Sequence, residues 1–321
     1  MVITNKKVGV QLARKKLANI KSIPYLCREY YQLISNLKFI YVFMKSMRIT
    51  VVLRTLLFAS VGFIMLACEK EEAEEEVTEP IAVSPYFNER LLISHRGNPE
   101  CPENTYTAVD AAVKAGFKAV ECDITMTEDG VFVLHHDVTI DRCSNGTGRI
   151  DEMTYDELLS YDFGSWKGEQ FEGERLARLS DILDYCKSMG VILELDLADE
   201  TRFSRNWIPA LYELVKEKGM LGQTMFTATQ DELERFLSVR RNIIVSVSGV
   251  YDMDAASRAL ALKDKVTLCN FSIPLHKLTL ELCDYAHENG VKVKSWTVKK
   301  QRDMDKCTNW NVDYVITELP L

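Results

Sequence analysis

The chain has 321 residues, 47% of them apolar and 27% charged, which is the balance of an ordinary globular protein with room for one large domain or two average ones. A formal net charge of −8 argues against nucleic acid as a partner, because holding a phosphate backbone requires a basic face. The nine cysteines form no Cys-x-x-Cys pair and no Cys/His ligand spacing, which argues against a zinc site; Cys122 and Cys269 fall in apolar runs and read as core.

At the N-terminus, residues 1–43 carry Lys6, Lys7, Arg14, Lys15, Lys16, Lys21, Arg28 and Lys38, whereas Glu69 to Glu79 is nearly all acidic. Met44 or Met47 makes a better start than Met1, so residues 1–43 read as an N-terminal extension. Arg48 and Arg54 precede an apolar run, Leu56 to Ala67, that is shorter than the ~20 residues needed to span a bilayer but suits the apolar region of a secretory signal. Its end, Met65-Leu66-Ala67-Cys68, resembles a bacterial lipoprotein signal, with Met65 where leucine is usual. That resemblance implies residues 44–68 as the signal, a lipid on Cys68, and an exported protein anchored to the membrane in the periplasm or at the cell surface. An uncleaved signal anchor is the alternative. Residues 69–85 form an acidic linker too polar to pack, either a surface-export signal or a spacer, and 86–321 the folded domain.

From Leu91 onward strand-length apolar runs recur at Leu91–Ser94, Ala119–Ile124, Val191–Leu195, Thr224–Thr227, Ile243–Val247, Val266–Phe271, Val291–Trp296 and Tyr314–Thr317. Stretches of helical period lie between them, at Leu179–Met189, Trp207–Lys218, Asp231–Val239 and Leu278–Asn289. Gly116, Gly190, Gly219 and Gly290 stand where left-handed helix ends are expected. Eight such units predict an α/β fold, a (β/α)8 TIM barrel, with a doubly wound sheet as the alternative. Between strand 2 and helix 2 lies an insertion with an extra strand, Val131–Leu134, and a glycine-rich loop, Asn145–Gly148.

Polar groups gather at strand ends. Strand one runs into His95-Arg96-Gly97; Glu121 and Asp123 lie two apart on strand two; Val131–Leu134 leads into His135-His136-Asp137; Glu194 and Asp196 lie two apart on the next strand. Residues two apart share a face, and carboxylates facing a barrel interior call for a partner or a hard cation such as Ca²⁺ or Mg²⁺. Histidines suit acid/base work near neutral pH, and an arginine fork suits phosphate oxygens. Singly, each of these features is more often structural than functional; their joint fall on successive strand ends points to a site.

The run HRGNPECPENTYTAVDAAVKAGFKAVECDITMTEDGVFVLHHD closely resembles the opening of the glycerophosphodiester phosphodiesterase family, with its HRG, PENT, E-x-D, T-x-DG and HD in order. The similarity continues through Arg142, Gly146, Gly148 and MTYDELLSYDFGSW, and resumes at SWTVKKQRDMDKCTNWNVDYVITELP. The resemblance implies catalytic His95 and His136, a divalent metal on Glu121, Asp123 and Glu194, phosphate contact by Arg96, and Trp296 beside the glycerol or head group. It implies that Glu103 and Asn104 cap and brace the first helix, with Glu103 supporting the metal shell, and that His135 is structural. It further implies metal-dependent hydrolysis of glycerophosphodiesters to glycerol 3-phosphate and an alcohol, in which a glycerol hydroxyl attacks the phosphate with one histidine as base and the other as acid. The chain departs from the family at Asp196, where lysine is common, and at Glu318, where aspartate is usual. A lysophospholipase D-like diesterase acting on larger lysolipids, and a barrel that binds without turnover, are the competing readings.

Overall fold

A computed structural model describes residues 80–197, 207–239 and 242–321. The expected extension, signal, Cys68 and most of the acidic linker lie outside the described residues, none of whose helices is long and apolar enough to cross a membrane.

Eight parallel strands close into a barrel in which β1 (Leu91–His95) pairs on one side with β2 (Ala119–Met126) and on the other with β9 (Tyr314–Thr317). Round the barrel from β2 follow β4 (Ile192–Asp196), β5 (Thr224–Thr229), β6 (Ile244–Ser248), β7 (Leu268–Pro274) and β8 (Lys292–Val298). The expected barrel is therefore the observed one. Outside it run α1 (Tyr106–Lys114), α3 (Leu179–Met189), α4 (Ile208–Glu217), α5 (Gln230–Val239), α6 (Met253–Leu262), α7 (Leu280–Glu288) and α8 (Gln301–Asn309). α3 ends on Gly190 at φ 66°, a left-handed position that only glycine adopts without strain.

The strands separate an outer apolar face from a barrel interior that is apolar in its lower layer. The outward residues Val120, Cys122, Leu193, Leu195, Phe226, Val245, Phe271 and Val293 pack under the helices in the main core. Inside, Ile93, Ala119, Ile192, Met225, Ile244, Tyr314 and Ile316 fill the lower barrel, closed from below by Phe87. Phe87 stands edge-on to Tyr314, whose hydroxyl donates to the Phe87 carbonyl at 2.7 Å. With the lower half dry and filled, polar inward side chains are confined to the upper half.

The expected insertion runs from β2 to α3. Its strand β3 (Phe132–Leu134) pairs antiparallel with the protruding end of β2, and its one-turn helix α2 (Tyr155–Leu158) starts in a capping box of Thr154 and Glu157. Val133, Ile140, Ile150, Leu158, Phe163 and Leu176 give the insertion a small core of its own.

Candidate active site

The site is built on the C-terminal ends of the strands. β1 delivers His95 and then turns sharply: Arg96 sits at φ 54° and Gly97 at φ 84°. A Cβ on Gly97 would come within 2.6 Å of the Ala108 backbone, so glycine lets α1 approach the turn. Bent this way, the Arg96 N–H donates to Glu121 Oε2 at 3.0 Å, while its guanidinium pairs with Glu103 through Nη1 at 2.8 Å and with Asp123 through Nε at 2.9 Å.

Strand register explains the carboxylate row. His95 lies opposite Glu121, Glu121 opposite Glu194, and Asp123 opposite Asp196. Asn104, itself at φ 57°, clamps Asp123 by donating Nδ2 to Oδ2 at 2.8 Å and accepting the Asp123 N–H at 3.1 Å. Glu121, Asp123 and Asp196 each bring an oxygen within 4.8 Å of the others, a grouping able to hold a cation. Glu194, the expected third ligand, stands outside that grouping. Its Oε1 accepts from the fully buried Lys294 ammonium and from Thr227 Oγ1 at 2.7 Å, and Lys294 also donates to Thr227 at 2.7 Å.

These residues fit a divalent cation. All the donors are carboxylate oxygens, the donor type of Ca²⁺ and Mg²⁺ sites. Burial pushes the Glu121 carboxyl well above its usual range, and the charges of Asp123, Asp196 and Glu194 push it further while Arg96 opposes them. A cation relieves that repulsion. Glu194 Oε2 is buried with no hydrogen-bond partner among the described residues, while its Oε1 is taken up by Lys294 and Thr227.

The two histidines are oriented alike. His95 Nδ1 lies 3.0 Å from Glu318 Oε1, and His136 Nδ1 lies 2.6 Å from Asp137 Oδ1, so each ring is held through Nδ1 by a carboxylate. The His95 hydrogen bond leads the causes that hold Glu318 down at about 2, burial opposes it, and Lys299 at 2.7 Å adds to it. Asp137 is held well below the usual carboxylate range, first by Arg142 hydrogen bonds and, against some burial, also by His136. Arg142 joins this pair to Glu103 through two bonds of 2.8 and 2.9 Å. Burial would raise Glu103, but Arg142 and Arg96 outweigh it and hold the carboxyl at about 2. His135 points elsewhere: it is buried against Phe163, with Nε2 2.9 Å from the Thr139 carbonyl.

A cavity of about 230 Å³ opens among His95, Arg96, Glu103, Trp166, Lys299 and Glu318. Trp296 lines a neighbouring groove of about 670 Å³, edge-on to Tyr251 with centroids 6.3 Å apart. One expected role changes. α1 is capped by Thr105, whose Oγ1 accepts from Ala108 N–H at 3.2 Å, and not by Glu103 or Asn104, which face the site. Lys294, Thr227 and Lys299 were not singled out from the sequence; Lys294 in particular alternates with Val293 on its strand and so reads as solvated.

The model of the glycerophosphoryl diester phosphodiesterase family matches residues 95–321. The chain is 30% identical over 240 residues to YhdW of Bacillus subtilis (strain 168), covering 71% of this chain and 94% of that protein. It is 27% identical over 248 residues to the glycerophosphodiester phosphodiesterase of Caldanaerobacter subterraneus subsp. tengcongensis, covering 72% and 94%. An Oleispira antarctica phosphodiesterase solved with its product sn-glycerol-3-phosphate superposes with a TM-score of 0.67 at 25% identity, over 73% of this chain and 95% of that one.

Proposed function

The chain belongs to the glycerophosphoryl diester phosphodiesterase family, and from that membership we propose that it hydrolyses glycerophosphodiesters to glycerol 3-phosphate and an alcohol by a metal-dependent, two-histidine mechanism. The observation that carries the reading is the pair His95 and His136, each with a carboxylate on Nδ1, together with a three-carboxylate grouping on adjacent strand ends. The solved relative with sn-glycerol-3-phosphate supports the choice of product.

In this reading Arg96 faces the phosphate from the wall of the smaller cavity, its own position fixed by Glu103 and Asp123. Glu318 and Asp137 hold the two imidazoles so that their Nε2 atoms exchange protons with the substrate. One takes the proton of the glycerol hydroxyl next to the phosphate as that oxygen bonds to phosphorus. The other gives a proton to the alcohol oxygen as its bond to phosphorus breaks. Water then opens the cyclic phosphate with the two roles reversed. Glu121, Asp123 and Asp196 would hold a divalent cation such as Ca²⁺ or Mg²⁺, while Glu194 is engaged by Lys294, and the cation would supply positive charge against the phosphate oxygens.

The test is release of glycerol 3-phosphate from glycerophosphodiesters by the purified protein, with either cation and with a chelator. His136→Ala is expected to lower kcat by at least about 100-fold, the scale of a lost acid or base. Cation-independent release, or full activity in the variant, would refute the mechanism.

Export and anchoring through a lipid on Cys68 are part of the same proposal, and they place the site where released head groups can be scavenged. The support is the sequence from Arg48 to Cys68 followed by an acidic run. Mass spectrometry of membrane-fraction protein should find a lipidated N-terminal Cys68, and Cys68→Ala should move the protein to the soluble fraction; unmodified Cys68 in a retained signal would overturn this.

A further inference from the structure

The groove beside the smaller cavity is almost three times its size, and Lys299 lines both. A diester brings two arms to the site, glycerol and a second alcohol, and glycerol alone is far too small to occupy about 670 Å³. Resting on the phosphodiesterase reading, the geometry points to this groove as the seat of the alcohol arm, and to an alcohol that itself carries negative charge, in a second phosphate or a carboxylate, as the arm it selects.

The charge of the walls carries the argument. Lys299, Arg302 and Lys306 bring three permanent cations to the groove, against two carboxylates, Asp303 at 3.5 Å from Arg302 and Glu318 of the adjoining cavity at 2.7 Å from Lys299, so the walls keep a net positive charge. In a chain of net charge −8 this is a local reversal of sign. Lys306 is fixed in place, its ammonium 4.2 Å from the Trp310 ring centroid and donating to the Leu275 and Leu278 carbonyls at 3.4 Å. Arg302 is 77% exposed, with Asp303 as its ion-pair partner. The rival is a quaternary ammonium arm held on the Tyr251–Trp296 aromatic pair, since ring faces attract such cations. That attraction is short-ranged, and the net positive charge of the same walls opposes it. An anionic arm meets the lysines and the arginine instead, and keeps the ring faces as apolar walls for its carbon chain.

Three substrates separate the cases, because they differ in the charge of the alcohol: glycerophosphocholine, glycerophosphoglycerol and bis(glycerophospho)glycerol. With the full chain and added Ca²⁺ or Mg²⁺, kcat/KM for glycerol 3-phosphate release should rise in that order, from the cationic to the neutral to the anionic alcohol. Exposed charge pairs imply steps of roughly threefold to tenfold at low salt, narrowing as salt is added. Arg302→Glu should lower the rate on bis(glycerophospho)glycerol and raise it on glycerophosphocholine; a folding defect would lower both together. Lys306→Met, which keeps the stem against Trp310 without the charge, should compress the ranking in the same direction. Choline hydrolysed as fast as the anionic alcohol, or an Arg302→Glu effect equal on all three substrates, would overturn the inference while leaving the phosphodiesterase intact. Hydrolysis of none of the three would overturn both.

Discussion

At the scale of single residues, the charge balance of the site turns on Lys294. Four carboxylates, Glu121, Asp123, Glu194 and Asp196, face the upper barrel, and Lys294 and Arg96 are the cations set against them. A lysine is almost never fully buried without a partner, and Lys294 has two in Glu194 and Thr227. Lys294→Met keeps the volume and leaves the fully buried Glu194 charge without its cation, so it should cost about 3–5 kcal/mol in unfolding free energy. The double variant Lys294→Met/Glu194→Gln should recover most of that loss, because neither charge remains. Urea unfolding of both variants measures it; a single variant as stable as the parent would show that the pair carries no weight. The same residues show how far the site could be read in sequence. The spacing of Glu121 with Asp123 and of Glu194 with Asp196 identified the inward face, because faces follow from alternation within one strand. Lys294 lies 100 residues from Glu194, and Glu318 lies 223 from His95, so only closure of the barrel reveals which carboxylate binds which cation.

At the scale of elements, the insertion behaves as a small unit that carries chemistry. His136, Asp137 and Arg142 all lie on it, and Arg142 ties it back to Glu103 in the loop after β1. Its own core means that damage there should be felt locally first. Leu158→Ala removes a fully buried side chain from that core and should cost about 2–4 kcal/mol of local stability. Hydrogen exchange in residues 127–178 should quicken while β4–β8 stay protected, and kcat should fall because the base or acid on the insertion loses its setting. Uniform quickening across the barrel would mean that the insertion is not a separate unit. The barrel strands were legible because each is a compact apolar run closed by a turn. Within the insertion the extra strand was legible too, as the run Val131–Leu134, but α2 was not, since at 4 residues it is too short for a helical period to show.

At the scale of the whole molecule, two acidic clamps tie separate segments of the chain together at the site. Glu103 joins the loop after β1 to the insertion through Arg96 and Arg142, and Glu318 joins the C-terminal segment to β1 through His95. Both carboxyls are held at about 2 against a usual 4.5. A carboxyl with a depressed folded value stabilises the fold above its unfolded value and loses that contribution as pH falls toward the folded one. The window is therefore pH 4.5 down to 2, and the stability lost across it should be on the order of 2 kcal/mol per clamp after allowance for solvent screening. Glu103→Gln should lower stability near neutral pH and flatten this acid limb, since glutamine has no proton to gain. Glu318→Gln should do the same by a separate route, because the two clamps share no partner, and the effects should add in the double variant. Thermal midpoints of parent, single and double variants between pH 2 and 7 decide the matter. An acid limb as steep in the double variant as in the parent would place the acid sensitivity in other carboxylates and leave the clamps as orienting devices alone.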